Sequence, residues 1–451
     1  MDEPAADDTD VTAAASVLHD PYAAFRHGHF RLFAVSYVLA TVGSQILAST
    51  VQWDVYQRTK DPFVVGLIGL IGAVPVILLA LPAGHVADRY SRKRVLLITQ
   101  LALTGAPCAL AVLNLTSNAG VSLTATLSLI GANAVALTFA RPARAALLPN
   151  LVPRGLYPNA FAWISSLFEM AAWIGPALAG MLIVFGVGPS YLIAGLCLLA
   201  CLAITLFLPD ITPVEPPVTE AGLRSLSAGL RFVFGTNLLL AAMTLDLLAV
   251  LLGGATYLMP MFAERLEVGP FGYGWMRAAP AIGACIMAVV QAHRPPTQRA
   301  GRVLLWSVAA FGAATIVFGL SRSYWLSLAM LVLLGACDNI SVVIRHTLVQ
   351  SLTPDSMRGR VSAVNQVFIG ASNELGGLES GVTAKLFGPV ASVVGGGIGT
   401  LLVVCGVAAR WPDIRRLGSL AELRAMEVEP TDAQPTHESS GLASVADDDR
   451  R

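Results

Sequence analysis

Apolar residues run along this chain in stretches of about twenty or more, separated by short breaks rich in Arg, Lys, Pro and Gly. A bilayer's hydrocarbon core is about 30 Å thick and takes roughly 20 apolar residues as helix. Twelve stretches meet that length: 30–57, 62–86, 94–115, 121–149, 157–184, 189–208, 236–262, 270–292, 301–320, 324–351, 361–386 and 390–410. After the sixth the pattern changes. Pro209 to Arg231 is polar and Pro-rich, with Pro213, Pro216 and Pro217, and splits the spans six and six. The expected organisation is an all-α membrane protein: a disordered tail over 1–29, a six-helix bundle over 30–208, a linker over 209–235, a second bundle over 236–410 and a tail over 411–451. The first twenty residues are acidic and Ala-rich, without the basic and apolar regions of a cleavable leader.

Composition narrows this further. Charged residues make up 13% of the chain and hydrophobic ones 55%. A soluble domain averages about 25% charged, so this chain lacks the polar surface to face water all round. Lys plus Arg and Asp plus Glu both count 29, so net charge gives no footprint for nucleic acid. The distribution of charge does carry information. With the N-terminus inside, the inner loops hold seventeen Lys and Arg, among them Arg89, Arg92, Lys93 and Arg94, against five in the outer loops: Arg58, Lys60, Arg265, Arg322 and Lys385. Cytoplasmic loops carry such an excess, so both termini are expected in the cytoplasm. The six cysteines, Cys108, Cys197, Cys201, Cys285, Cys337 and Cys405, lie in apolar segments without ligand spacing and read as packing residues. No metal site, cofactor or nucleotide loop is expected. Gly395 to Gly399 lies in the last span without the strand and Lys of a phosphate loop.

The two halves repeat. At an offset of 208, Pro62, Phe63 and Gly66 match Pro270, Phe271 and Gly274, and His85 and Arg94 match His293 and Arg302. Gly131, Ala132 and Arg141 of the fourth span match Gly335, Ala336 and Arg345 of the tenth. Parallel repeats of this kind form two pseudo-symmetric bundles with the substrate site between them near the midplane.

Four segments carry a family resemblance. Gly84-His-Val-Ala-Asp88-Arg89-Tyr-Ser91-Arg92-Lys93-Arg94 follows the second span: a Gly, three residues, an Asp, then a basic run, with Ser91 at a position usually held by Gly. Gly84 suits close helix approach, and Arg144 is placed to pair with Asp88. In the fifth span stands Gly175-Pro176-Ala-Leu-Ala179-Gly180, a helix-kink motif. Ala140-Arg141-Pro142-Ala-Arg144 and the run from Arg358 through Asn373-Glu374 and Gly376-Gly377 to Glu379 complete the set. These resemble the major facilitator superfamily, and within it the branch that contains the bacterial enterobactin exporter and macrolide-efflux proteins. The resemblance spans about residues 25–412. It implies a secondary transporter working by alternating access, with the loop after the second span as a conformational latch and Gly175-Pro176 as an exporter's motif.

Ionisable groups inside a bilayer cost about 2.5–3.5 kcal/mol each on insertion scales and are functional candidates by default. Here they are Glu169, Asp246, Arg277, Asp338, Glu374 and Glu379, with Arg141, Arg144 and Arg345 nearer the inner ends. Asp246 and Glu374 are the expected proton carriers, because burial raises a carboxyl's affinity for protons. A static pair of Arg277 with Glu374 or Glu379 is the alternative. Asp54, near the outer end of the first span, reads as a solvated carboxylate. Trp53, Tyr56, Phe139, Trp163, Phe168, Tyr257 and Phe368 are candidate walls of an apolar pocket. The expected function is proton-coupled export of bulky amphipathic siderophores or drugs, by a chain functional as a monomer in the lipid bilayer. A facilitator or importer of a small polar metabolite is the second reading. An enzyme is not expected, because His85, His293 and His346 are scattered and form no set with a nucleophile.

Overall fold

The computed structural model describes residues 20–116, 121–210, 223–253, 255–294 and 298–419. The rest of the two tails, Pro213, Pro216 and Pro217 of the linker, and Pro296 lie outside the described residues. Among the described residues the chain is helical, without strands. The first half comprises α1 (Gly28–Thr59), α2 (Pro62–Arg89), α3 (Arg92–Thr116), α4 (Leu123–Leu147), α5 (Tyr157–Ile183) and α6 (Val187–Thr205). A linker helix α7 (Leu223–Gly235) follows, then α8 (Asn237–Leu252), α9 (Met259–Arg265), α10 (Gly269–Ala292), α11 (Ala300–Leu320), α12 (Tyr324–Leu352), α13 (Asp355–Phe387), α14 (Pro389–Arg410) and α15 (Pro412–Arg416). Eleven spans are long and apolar enough to cross a membrane, α8 and α9 together forming one of them. The twelfth is α13, whose 33 residues give ample length. It is less apolar because it carries Arg358, Arg360, Glu374, Glu379 and Lys385.

Local chemistry sets the helix ends. Asp61 caps α2 by accepting from the Phe63 amide at 3.0 Å, with Pro62 as the first helical residue, the position where a missing N–H costs nothing. Gly186 and Gly388, at φ +117° and +89°, make the tight turns before α6 and α14; only glycine enters that region freely. These turns lie at the end of the bundle away from both termini, called distal here; the opposite end is proximal.

The helices of each half pack by one scheme. In the first half α1 packs on α5 and α6, α2 on α4, and α3 on α4 and α6. In the second, α8 packs on α13 and α14, α10 on α12, and α11 on α12 and α14. The result is the pair of pseudo-symmetric six-helix bundles that the repeated sequence implies.

Three departures from the sequence pattern have local causes. The seventh span is not one helix. It breaks after Leu252 and resumes through a 3-10 turn, Ala255–Leu258, into α9. Gly253 ends α8, where a Cβ would stand 2.6 Å from the Phe311 ring. The linker is not wholly irregular, because α7 docks on α13 with Gly229 against the Arg360 carbonyl. Nor is all of 1–29 a loose tail. Ala23–Arg26 form a 3-10 turn, the Trp163 indole donates to the Pro21 carbonyl at 2.7 Å, and the Phe25 and Trp163 rings meet edge to face. Trp163 is thereby an anchor for the N-terminal segment and not a pocket wall.

The halves join along α2–α13 and α5–α10. Each joint is a crossing of two glycines. A Cβ on Gly66 would lie 2.9 Å from Gly381 Cα, and one on Gly180 would lie 2.6 Å from Gly274 Cα. The pattern extends to the prolines: a Cβ on Gly381 would meet the Pro62 carbonyl and one on Gly180 the Pro270 carbonyl, both at 2.8 Å. Gly66 with Pro62 and Gly274 with Pro270 are thus repeat-related positions doing one task. Polar contacts reinforce the joint distally. Tyr56 donates to Glu264 at 2.5 Å, Lys60 to Glu264 at 2.7 Å, Lys385 to Asp61 at 2.5 Å, and Tyr273 to the Ser49 carbonyl at 2.9 Å. All four lie toward the distal end, so the halves are closed there.

Two predictions follow from this joint. Gly180→Val places side-chain atoms where the Gly274 backbone stands, so the distal end is expected to open. A cysteine introduced at Ser49 should then react several times faster with a membrane-impermeant thiol reagent added from the distal side; an unchanged rate would show that the crossing does not hold the closure. The second concerns pH. The hydrogen bond from Lys385 holds the Asp61 carboxyl below its usual 3.8, with a smaller contribution from the Phe63 amide. A depressed carboxyl stabilises above its unfolded value and loses that contribution as pH falls through the folded one. The Asp61–Lys385 clasp should therefore persist from pH 8 down to about 5. Thiol labelling at Ser49→Cys, compared at each pH with the same label in Asp61→Asn to cancel the reagent's own pH dependence, checks it: the ratio of the two rates should stay constant over that range.

Candidate functional site

Below the distal joint, both halves bring ionisable groups to the middle of the bundle. Glu169 stands midway along α5 and Asp338 midway along α12, and Asp338 lies in the field of Glu169 of the other half. Arg141 of α4 and Arg277 of α10 both lie within electrostatic range of Glu374 on α13. Tyr37 of α1 lies in the field of Arg144, Arg141 and Glu169. The candidates from the fourth, fifth, eighth, tenth and eleventh spans thus form one charged set shared by both halves, with Tyr37 added.

Glu374 is the best-defined member. Its carboxylate lies on α2 of the other half, where a Cβ on Gly72 would come 2.7 Å from Oε2. Gly69, one turn earlier, leaves room for the Glu374 carbonyl. Tyr257 donates its hydroxyl to Glu374 Oε2 at 2.5 Å, and its ring rests on Gly377, where a Cβ would meet ring carbons at 2.6 Å. The break in the seventh span is what delivers Tyr257 there. Unwound segments at the midplane line transporter sites in this way. Gly376 and Gly377 were legible in the sequence beside Glu374, but not the ring that needs the second of them.

Asp246 is placed differently. It forms a short ion pair with Arg345, within the second half, and the side chains are 12% and 10% exposed. Arg345 Nε also donates to the Ser341 carbonyl at 3.3 Å. A small cavity beside the pair is lined by Asp246, Asp338, Ser341, Phe311 and Cys337. The repeat gave Arg345 the place that Arg141 holds in the first half, yet of the two only Arg345 forms an ion pair within its own half among the described residues. Glu379 accepts from Ser380 at a long 3.4 Å. No ion pair of Arg277 with Glu374 or Glu379 forms among the described residues.

Several sequence expectations are corrected by packing. Asp54 is buried, 5% exposed, because α1 and α6 close tightly at the distal end; it accepts from Arg58 at 2.5 Å and Tyr191 at 2.8 Å. Tyr56 serves the distal joint. Phe139 faces a groove between α2, α3 and α4, Phe168 is half-exposed, and Phe368 packs in the second half's core. Trp53 is buried against Tyr273, with ring centres 5.1 Å apart. Of the seven aromatics, Tyr257 is the one in contact with the central charges.

The basic loop after α2 works by helix ends. Arg92 donates to the Ala146 carbonyl at 3.0 Å and Lys93 to the Leu206 carbonyl at 2.7 Å, the closing carbonyls of α4 and α6. Cations there complement the helix dipole. Arg94 reaches Asp210 at 3.6 Å, and Ser91 donates to the same carboxylate while accepting from the Arg94 amide at 3.3 Å. Ser91 therefore caps α3 where glycine could not. Arg89 and Asp88 are exposed. Arg144 lies over the Tyr37 ring at 5.4 Å and not on Asp88, and a Cβ on Gly84 would meet nothing within 4 Å. The polar contacts of the joint between the halves all lie toward the distal end, and Gly84 and Asp88 take part in none of them. Gly175 and Gly180 do have partners. A Cβ on Gly175 would lie 2.4 Å from Gln45 Cβ of α1, within the half, whereas Gly180 crosses to α10. The motif at Pro176 thus joins two contacts.

Removing one partner of a buried ion pair costs about 3–5 kcal/mol, because the other charge is left uncompensated. Asp246→Asn should lower the thermal midpoint of the purified protein and its yield, and adding Arg345→Met should restore most of both. Detergent size-exclusion chromatography after heating reads this; a single variant as stable as the parent would mean that the pair is dispensable.

Comparison with known proteins accords with this geometry. The family model described as transmembrane secretion effector matches residues 19–444. The chain is 26% identical over 381 residues to the enterobactin exporter EntS of Shigella boydii serotype 4 (strain Sb227), covering 84% of this chain and 90% of that protein. The enterobactin exporter of Escherichia coli O1:K1 matches to the same extent. Solved structures of the same fold include the nucleoside transporter NupG (16% identity, TM-score 0.66, 85% of this chain and 98% of that one). A POT family transporter in complex with 5-aminolevulinic acid is another (12%, 0.67, 85% and 96%). A third is a bacterial homologue of the lysosomal transporter Spinster in an inward-facing conformation (13%, 0.64, 86% and 96%). At these identities the structures speak for the fold alone. Twelve spans in two repeated bundles, a match across nearly the whole chain and relatives that are exporters lead to one statement: this multi-pass membrane protein is a transporter of the major facilitator superfamily and belongs to its transmembrane secretion effector family.

Proposed function

We propose that the protein exports bulky amphipathic compounds, siderophores among them, from the bacterial cytoplasm by alternating access, driven by protons. The observation that carries this reading is the central charged set contributed by both halves, in a chain whose relatives over 84% of its length are enterobactin exporters. The basic loops at the proximal end give that end to the cytoplasm, so the distal closure makes this the inward-facing state. The loop of Gly84 and Asp88 would engage when the halves rock to close the proximal end.

Glu374 is the preferred proton carrier. It lies on the joint between α2 and α13, so its charge changes the attraction between the halves. Its only hydrogen-bond partner among the described residues is Tyr257, whose hydroxyl serves either protonation state. Asp246 is the second carrier: a proton there would release Arg345. Asp338 lies in the field of Glu169 of the other half, and bringing two carboxylates closer favours a shared proton. One chain supplies both bundles and the site between them, so a monomer suffices.

Everted membrane vesicles energised to an inside-acid pH gradient provide the test, with a pH-sensitive dye as readout. Enterobactin and a panel of macrolides added singly should each, if transported, collapse part of the gradient. Glu374→Gln should lose at least about tenfold of that response, the loss expected when a positioned proton carrier is removed, while Tyr257→Phe should weaken it and retain transport. A compound that crosses without moving protons would sink proton coupling and leave the export reading in place.

A further inference from the structure

Arg277 is a central cation with donors left over. Its Nε and Nη1 are buried and have no hydrogen-bond partner among the described residues. Glu374 lies within its electrostatic range but accepts from Tyr257, and no ion pair between Glu374 and Arg277 forms among the described residues. Burying a charged donor without an acceptor is costly, and orphaned groups in native structures call for an explanation. Arg277 is not alone. One turn before it on α10, Tyr273 donates to the Ser49 carbonyl of α1. Around that same contact, Ser49 Oγ and Gln52 Oε1 are also buried and unpartnered. The α1–α10 contact, with one helix from each half, therefore holds an unused guanidinium, an unused amide oxygen and an unused hydroxyl. A guanidinium presents its N–H groups as a planar fork that fits a two-oxygen anion with parallel hydrogen bonds.

We propose that Arg277 anchors a planar oxyanion of the transported compound, so that the substrate class is an apolar body carrying a carboxylate-type group. This rests on the export reading above and deepens it. Ser49, at the Tyr273 contact one turn from Arg277 on α10, offers an unpartnered hydroxyl on the facing helix. Arg141, reaching toward Glu374 from the other half, gives the anion a second cation when the halves close around it. Recognition of the anion is thus shared between the halves.

The experiment uses the full chain in lipid nanodiscs at pH 7. The probes are dansyl-aminoundecanoic acid and its methyl ester, which share an apolar body and differ in the anion. Charge-assisted hydrogen bonds to a guanidinium predict that the acid binds about ten- to a hundredfold tighter than the ester. Arg277→Gln should bring the acid to the level of the ester while ester binding, the gauge of a folded pocket, stays the same. Equal binding of acid and ester by the parent protein, or a full preference persisting in Arg277→Gln, overturns the proposal. If Arg277→Gln no longer binds the ester, Arg277→Lys decides. A point charge without the fork should keep only part of the preference, and an undiminished one overturns recognition by the fork. Vesicle export of the two probes separates the readings: ester and acid exported alike sinks this inference alone, whereas export of neither sinks the export reading.

Discussion

Two six-helix halves in a bilayer gain nothing from hiding apolar surface from each other, because lipid is as apolar as leucine. They hold together only where backbones come close enough for dispersion and weak C–H contacts to add up. In this protein that happens at two places, Gly66 on Gly381 and Gly180 on Gly274. Everything else about the state of the molecule depends on these crossings. They set the distal closure, they bring Tyr56, Lys60, Asp61, Glu264 and Lys385 into reach of one another, and they lay Glu374 against Gly72. The contact is backbone on backbone, with the Glu374 side chain and the distal polar pairs laid across it.

The buried charges divide by how they are satisfied. Asp54 with Arg58 and Tyr191, and Asp246 with Arg345, are neutralised inside one half. Glu374, by contrast, lies on the joint within electrostatic range of Arg141 from one half and Arg277 from the other, and Asp338 lies in the field of Glu169 of the opposite half. Depth in the membrane does not separate these groups, since Asp246 and Glu374 are both central. Membership of the gap does. This is why a span-by-span reading selected both and the tertiary structure distinguishes them.

The basic loop after α2 shows the same economy. Arg92 and Lys93 close the C-terminal carbonyls of α4 and α6, and Arg94 with Ser91 holds Asp210. Four helices of one half are tied at their proximal ends by one loop. Among the described residues, a Cβ on Gly84 would meet nothing within 4 Å and Asp88 is exposed, so the fastening is done by the second half of the motif alone.

Much of this architecture was written in the sequence. Helix ends fell within a few residues of the apolar stretches because a bilayer dictates span length. The repeat at an offset of 208 identified Pro62 with Pro270 and Gly66 with Gly274 before their shared task was visible, because both halves must build the same joint. The charges of the site were found by their cost in a membrane. What the sequence did not determine was who meets whom. Nothing local pairs Asp246 with Arg345, lays Tyr257 on Gly377, leaves Arg277 without an acceptor or buries Asp54. Those relations join residues distant in the chain, and they exist only once close helix packing has chosen which neighbours each side chain can reach.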